Sequence, residues 1–243
     1  MYRTKRCRIL SMNNPQLPLG LALRDSARFA SFFPGPNAEA VRCLQAAATG
    51  AGESLVYLSG ATGLGKSHLL QAACHEAARH ESAAAYLPLD ALKSLSPDLF
   101  EGMEAMPLIC VDDVDAIAGL PDWETGLFHL FNRMQHSGGR LLLAGTGRAD
   151  AIGIVLPDLV SRLCWGVTYV LKPIDEQSVQ VALQHRATSR GLELPEETVA
   201  FLLKRIPRDL PSVFELLDRL DAASMVEQRR LTIPFVKTVL DQS

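Results

Sequence analysis

Eight consecutive residues have the spacing of a phosphate-binding loop. Gly60-Ala61-Thr62-Gly63-Leu64-Gly65-Lys66-Ser67 fits G-x-x-x-x-G-K-[ST] and follows the apolar run Leu55–Ser59. Glycines at these positions let successive backbone N–H groups curl around phosphate oxygens, where a side chain would block the approach. Lys66 brings a positive charge to the terminal phosphates and Ser67 an oxygen to Mg²⁺. A helix opening here adds the positive end of its dipole. The expected contacts of a nucleoside phosphate are Gly60, Ala61, Thr62, Gly63, Leu64, Gly65, Lys66, Ser67 and His68. A second group of residues is Leu108-Ile109-Cys110-Val111-Asp112-Asp113. An apolar strand ending in acids places carboxylates at the carboxyl edge of a sheet. Asp112 is suited to hold Mg²⁺ through water, and Asp113 to orient an attacking water. A solvated Asp pair that caps the following segment is the structural alternative.

Other candidates carry less on their own. In Leu156-Pro157-Asp158-Leu159-Val160-Ser161-Arg162-Leu163-Cys164-Trp165-Gly166, Arg162 reads by composition as a solvated charge near the end of a short helix. Trp123 and Trp165 read as core or interface residues. His75-Glu76 and His80 approach a zinc-binding spacing, but five residues turn a helix by roughly 500°, so the two imidazoles leave different sides. No zinc site is expected.

The elements that must position these groups alternate along the chain. Short apolar runs at Leu55–Ser59, Ala84–Leu87, Leu108–Val111, Leu141–Ala144 and Val167–Leu171 are separated by helical stretches at Lys66–Arg79, Trp123–Gln135 and Asp158–Leu163. Strands that are apolar throughout, joined by helices, predict an α/β fold with a parallel five-stranded sheet between helices. After Lys172-Pro173 the pattern is helical only. The expected helices are Asp175–Arg190, Glu196–Ile206, Leu210–Ser224 and a short one from Thr232 through Leu240. Val199, Leu202, Leu203 and Ile206 line one face, as do Val213, Phe214, Leu217 and Leu220. The organisation read from these patterns is a tail over 1–22, an α/β nucleotide-binding domain over 23–171 and a small all-helical lid domain over 172–243.

Composition excludes several classes. With 24 Lys+Arg against 27 Asp+Glu the chain carries a formal charge of −3, which argues against binding nucleic acid through overall basicity. Residues 172–243 hold 10 basic and 11 acidic residues, and so lack the basic footprint of a DNA-binding surface. No apolar stretch reaches the roughly 20 residues of a membrane span. Five cysteines, Cys7, Cys43, Cys74, Cys110 and Cys164, form no C-x-x-C pair, so a reducing, cytoplasmic setting is expected. Arg3, Lys5, Arg6 and Arg8 are basic without a following apolar stretch, so residues 1–11 are not a signal peptide. Met12 is an alternative start, which would change the formal charge from −3 to −7.

The joint set of motifs resembles the AAA+ module of the bacterial replication initiator DnaA, and in particular the short DnaA-related regulatory inactivators. The residues that carry the resemblance are Phe29–Gly35 (F-A-S-F-x-P-G), Pro157–Gly166 (P-D-L-x-S-R-L-x-W-G), Leu231–Lys237 (L-T-I-P-F-V-K) and Gln16–Leu21 (Q-L-x-L-x-L). The resemblance implies a bound ADP or ATP with Mg²⁺, Pro34 beside the base, and DnaA as partner. It implies that Arg162 acts as an arginine finger in the nucleotide site of a neighbouring subunit. It also implies that Gln16, Leu17, Leu19 and Leu21 bind the DNA polymerase III β sliding clamp. The function expected is regulatory inactivation of DnaA, by promoting hydrolysis of its ATP and so preventing re-initiation of replication. Self-association is a further expectation; direct sequence-specific DNA binding is not.

Two positions depart from the family pattern. Thr146 stands where the sensor following strand Leu141–Ala144 is ordinarily Asn or Asp. Pro211 stands where a second sensing arginine is expected, with Arg208 one turn earlier as its candidate substitute. Weak intrinsic ATP hydrolysis and retention of a diphosphate follow as expectations. A helicase loader of the DnaC kind is the alternative, although such a protein would be expected to carry a larger amino-terminal domain. A DNA-binding initiator would be expected to extend past Ser243. A small-molecule kinase would leave the Arg162 segment, the helical lid and Gln16–Leu21 without a role.

Overall fold

The structure is a computed structural model that describes residues 23–173, 176–189, 191–203, 205, 216, 219–221, 223 and 231–241. It divides into two units, one over residues 37–171 with the segment before Ala30, the other over 172–243 with residues 30–36.

In the first unit, five strands, β1 (Leu55–Ser59), β2 (Ala84–Pro88), β3 (Leu108–Asp112), β4 (Arg140–Gly145) and β5 (Val167–Val170), form a parallel sheet in the order β2-β3-β4-β1-β5. Every neighbouring pair is parallel, and β1 pairs with β4 from Leu55 opposite Leu141 to Ser59 opposite Gly145. Apolar runs predict these strands because both sheet faces are covered. The prediction is strictest for the inner strands β1 and β3, whose residues are all buried. Edge strand β5 instead alternates between half-buried and exposed residues.

One helix precedes the first strand and four return the chain between strands. They are α1 (Ala38–Ala48), α2 (Lys66–Arg79), α3 (Leu89–Leu92), α4 (Pro121–Ser137) and α5 (Pro157–Leu163). Helix α4 starts with Pro121 in its first turn, where a missing N–H costs nothing, and stops at Gly138, whose φ of 72° a side chain would disfavour. Helix α1 has no counterpart in the sequence reading. Its alanine-rich face buries Ala40, Val41, Leu44, Ala47 and Ala48, side chains too small to stand out as an apolar stripe.

Trp123 is a core residue, packed edge-on against Phe100 with ring centroids 5.5 Å apart. Trp165 is 61% exposed and is not part of the core. Cys74 and Cys110 are buried as small hydrophobes, and burial pushes the Cys110 thiol well above its ordinary range.

The second unit contains α6 (Glu176–Ser189), α7 (Glu196–Leu203) and α8 (Ile233–Asp241). Val179, Leu183, Val199, Leu202, Phe235 and Val236 share one core with Leu216 and Leu220. Ile206, Val213, Phe214 and Leu217, expected on apolar helix faces, lie outside the described residues. Among the described residues no helix is long and apolar enough to cross a membrane.

Gly166 fixes how closely β5 enters beside β1. A Cβ there would lie 2.5 Å from the backbone oxygen of Leu55, which cannot move without displacing the strand. Gly166→Ala is expected to cost about 1–3 kcal/mol through overpacking, a melting temperature lower by several degrees in a thermal scan.

Candidate functional site

The loop Gly60–Gly65 leaves the carboxyl end of β1 and opens α2. Gly63 and Gly65 have φ of 87° and 88°, a left-handed backbone that side chains disfavour, so the motif's glycines are required by the turn itself. Ala61, Thr62, Gly63 and Ser67 are exposed, whereas Lys66 is only 6% exposed. Its ammonium donates to Gly60 O at 2.6 Å and Ala61 O at 3.0 Å. These bonds compensate a charge that would otherwise be costly to bury. They also hold the ammonium inside the curl of its own loop, where a bound phosphate oxygen could replace a carbonyl as acceptor. The donor set fits a nucleoside phosphate: a glycine-rich turn, one lysine and the first turn of a 14-residue helix.

Asp112 ends β3 at the same edge and is 1% exposed. Its Oδ1 accepts from the backbone N–H of Asp113 at 3.0 Å and its Oδ2 from the Tyr86 hydroxyl at 2.7 Å. Burial and the neighbouring carboxylate push the Tyr86 phenol above its ordinary range, so it remains a donor. Asp113 has φ of 53°, an uncommon backbone for any residue but glycine. Burial, followed by the charges of Asp112, Asp115 and Asp90, pushes its carboxyl up to about 6, an effect that Lys66 partly offsets.

Beside it, Thr146 at the end of β4 is bound to one partner through both of its donors. Its N–H reaches Asp115 Oδ1 at 2.9 Å and its hydroxyl Asp115 Oδ2 at 3.0 Å. Thr146 is therefore engaged by an acid of its own chain. The His68 Nε2 hydrogen-bonds Arg28 O at 2.9 Å. Pro34 belongs to the second unit. Arg208, Pro211 and the segment Gln16, Leu17, Leu19 and Leu21 lie outside the described residues.

Arg162 is in the last turn of α5. Its guanidinium carbon lies 5.2 Å from the Trp165 ring centroid and 5.7 Å from that of Phe131. Stacking on two rings holds the group in place while leaving its in-plane N–H donors available. The segment after it meets the first residue of β1, as the contact between Gly166 and Leu55 shows. The phosphate loop leaves the last residue of β1. Five strand residues rising about 3.3 Å each separate these two edges. A cleft of about 310 Å³, lined by Leu55, Phe131, Met134, Leu141 and Trp165 among others, opens at the amino edge.

Sequence reasoning missed Glu124. This carboxylate, 2% exposed, accepts from Gly119 N–H at 2.8 Å, Val155 N–H at 3.0 Å and Leu156 N–H at 2.7 Å. It ties α4 to the strand-like segment that enters α5, and so fixes where the Arg162 helix begins. Only an acid at a buried helical position hinted at it. Tyr86 and its bond to Asp112 were missed for a similar reason, since the partners are 26 residues apart.

A glycine nest opening a helix, an acid-ended strand two places away in the order β3-β4-β1, and a separate helical unit together define an AAA+ module. The chain belongs to the family described as the bacterial DnaA ATPase domain, which matches residues 23–170, and residues 175–240 match the description "Hda, lid domain". Among solved structures, domain III of the Thermotoga maritima replication initiation protein DnaA superposes with a TM-score of 0.74 at 22% identity, covering 91% of this chain and 98% of that one. AMPPCP-bound DnaA from Aquifex aeolicus gives 0.68 at 23% identity, covering 81% of this chain and 65% of that one. The Thermotoga maritima RuvB Holliday junction branch migration motor gives 0.60 at 17%, covering 88% and 73%. The fold read from the sequence, a parallel five-stranded AAA+ sheet followed by a helical lid, is the fold found.

The Asp113 shift has a measurable consequence in protein free of nucleotide and divalent cation. Between the ordinary value of 3.8 and the native value of about 6 the folded protein holds a proton that the unfolded chain has lost. This group's contribution to stability therefore declines as pH rises through that window. Asp113→Asn removes the penalty. Its gain in melting temperature should be full above about pH 6 and vanish below about pH 4, as read by calorimetry across the range.

Proposed function

We propose that the chain is a nucleotide-binding regulator of DnaA that acts through Arg162 in trans. The observation that supports this most directly is the placement of Arg162 at the amino edge of the sheet, across β1 from Lys66. An arginine side chain extends only a fraction of that span, so it has no use at the loop of its own chain. A neighbouring AAA+ subunit presented to this edge would bring its phosphates to a guanidinium already held on Phe131 and Trp165.

The chemical role is charge stabilisation. As the bond to a γ-phosphoryl group breaks, negative charge accumulates on the equatorial and leaving oxygens, and a fixed guanidinium lowers the energy of that state more than of the ground state. Arginine fingers of this type are worth about 10³–10⁵ in rate. In the chain's own site, Lys66 and the loop N–H groups bind ADP or ATP. Asp112 and Ser67 would hold Mg²⁺, which when bound neutralises phosphate charge. Asp113 sits beside Asp112 but shares its surroundings with two further acids, and Thr146 is bound to Asp115. Both arrangements favour slow turnover of the protein's own nucleotide, with the diphosphate retained.

Gln16, Leu17, Leu19 and Leu21 complete the reading as the segment that docks on the DNA polymerase III β sliding clamp. The clamp brings the regulator to replicated DNA without requiring a basic surface, consistent with the formal charge of −3. The cytoplasm is the compartment in which these partners meet. Regulatory inactivation of DnaA is thereby linked to completed clamp loading, which prevents re-initiation.

The test uses ATP-loaded DnaA, DNA-loaded clamp and the full chain. Arg162→Ala is expected to lower the stimulated hydrolysis rate by at least about 100-fold, and Arg162→Lys to rescue little of it, because a lysine cannot reproduce the planar fork. Gln16→Ala is expected to weaken stimulation only when clamp-loaded DNA is the required platform. Wild-type stimulation by both alanine variants would overturn the mechanism. Stimulation of a DNA helicase's loading, with no effect on DnaA, would favour the loader reading.

A further inference from the structure

Glu124 is a buried carboxylate in the first turn of α4, and its hydrogen bonds run to backbone alone. None of the ion pairs among the described residues includes it. Its two oxygens serve two stretches of chain. Oε1 accepts from Gly119 N–H at 2.8 Å and Oε2 from Leu156 N–H at 2.7 Å, while Val155 N–H lies 3.1 and 3.0 Å from the two. Gly119 belongs to the turn that leads into α4, where its φ of 76° suits glycine, so the first bond fixes the carboxylate beside its own helix. The other bonds reach the two residues that lead into α5.

Helices α4 and α5 pack against each other, and each leaves the carboxyl edge after a strand and returns to the amino edge. On α4, Glu124, Leu127 and Phe131 follow the i, i+3, i+7 spacing of one face. Phe131 is seven residues past Glu124, or about 10 Å along the helix axis. Arg162 is six residues past Leu156, or about 9 Å along its own axis. The two lengths match. With Leu156 held at Glu124, Arg162 falls level with Phe131, and its guanidinium carbon lies 5.7 Å from that ring centroid and 5.2 Å from that of Trp165. A slip of one residue would move Arg162 by about 1.5 Å and turn it by about 100°, away from both rings. A seven-residue helix is too short to be stable alone, so its place is set by its core-facing Leu159 and Leu163 and by what holds its start.

We propose that Glu124 is a positioning residue for Arg162: its carboxylate sets the register of α5 along α4, and that register places the guanidinium on Phe131 and Trp165. The inference rests on the reading of Arg162 as a group that acts in trans, and it adds the residue that aims it. A helix start is ordinarily capped by a polar side chain of its own. Leu156 has none, and the neighbouring helix supplies the acceptor instead. Both oxygens of that acceptor are needed. A glutamine offers one oxygen, so either Gly119 N–H or Leu156 N–H would face an NH₂ group. An aspartate keeps both oxygens but is shorter by one bond, about 1.5 Å, and serves Leu156 only by drawing α5 out of register.

NMR of the full chain with isotope-labelled arginine reads the placement directly. The Arg162 Nε–H signal, assigned by its absence in Arg162→Lys, should lie upfield in the wild type because two rings face it. In Glu124→Gln and Glu124→Asp it should move to the position of exposed arginines, while both variants keep the wild-type circular dichroism spectrum. With ATP-loaded DnaA and DNA-loaded clamp, both should lower the maximal stimulated hydrolysis rate at least about tenfold. The DnaA concentration giving half of that rate should stay that of the wild type, because an interaction made only in the transition state is lost. An unmoved Arg162 signal in the two variants would overturn the proposal, and so would a wild-type maximal rate despite a moved signal. A change in the half-saturating concentration alone would overturn it as well, since that marks a docking role. Unfolding of both variants would do the same, by marking Glu124 as a purely structural residue. Wild-type stimulation by Arg162→Ala would instead refute the trans reading, and the NMR signal alone would then decide the register.

Discussion

Parallel pairing is the constraint on which the rest of the molecule depends. A parallel strand cannot follow its neighbour through a tight turn, so the chain must cross back along a face of the sheet before each new strand begins. All five strands then start at one edge and finish at the other. Loops that follow strands collect at the carboxyl edge, and those that precede them collect at the amino edge. The phosphate loop, Asp112, Asp113 and Thr146 meet at the first edge because each follows a strand. Arg162 is carried to the second because α5 ends where β5 must begin. One topological rule thus separates Lys66 and its glycine loop from Arg162.

Electrostatics at the carboxyl edge is a balance between few charges in little water. Lys66 is buried with two carbonyls for company, and Asp112 with two hydrogen-bond donors. Neither charge is paired directly with the other; each is satisfied locally by neutral groups. The lysine end of such a site suits a phosphate, whose oxygens would take over hydrogen bonds that already exist. Asp113 carries the cost of the arrangement. With three other acids around it and an uncommon backbone angle, its carboxylate is the least comfortable charge in the site.

At the amino edge the same economy is reached with aromatic rings. Phe131 comes from α4 and Trp165 from the turn after α5, and the guanidinium lies against both. Glu124 holds the entry to α5 from a different point on α4. Helix α4 therefore fixes Arg162 twice, once through the helix that carries it and once through the ring beneath it. At the other edge Tyr86 alone plays the corresponding part, with its hydroxyl donating to Asp112.

Much of this was legible in the amino-acid sequence. The glycine spacing of residues 60–67, the acid-ended run at 108–113 and the succession of apolar strands predicted the fold and the phosphate-binding loop, because these features depend on neighbours within a few residues. Helix boundaries at Lys66–Arg79 were legible for the same reason, whereas α1 was not, since alanine gives a weak apolar signal. Arg162 alone read as an ordinary surface charge, and only its surrounding motif suggested otherwise. The tertiary structure decided which distant groups share a hydrogen bond: Tyr86 with Asp112, Asp115 with Thr146, Glu124 with Leu156, Gln71 with Arg24. It also exposed Trp165, which sequence alone left between core and interface. Periodicity reports which side of an element is buried, but a contact between elements depends on how far each strand is shifted along its neighbour and on how each helix crosses the sheet. Those quantities are set by packing of the whole core, and no local stretch of residues contains them.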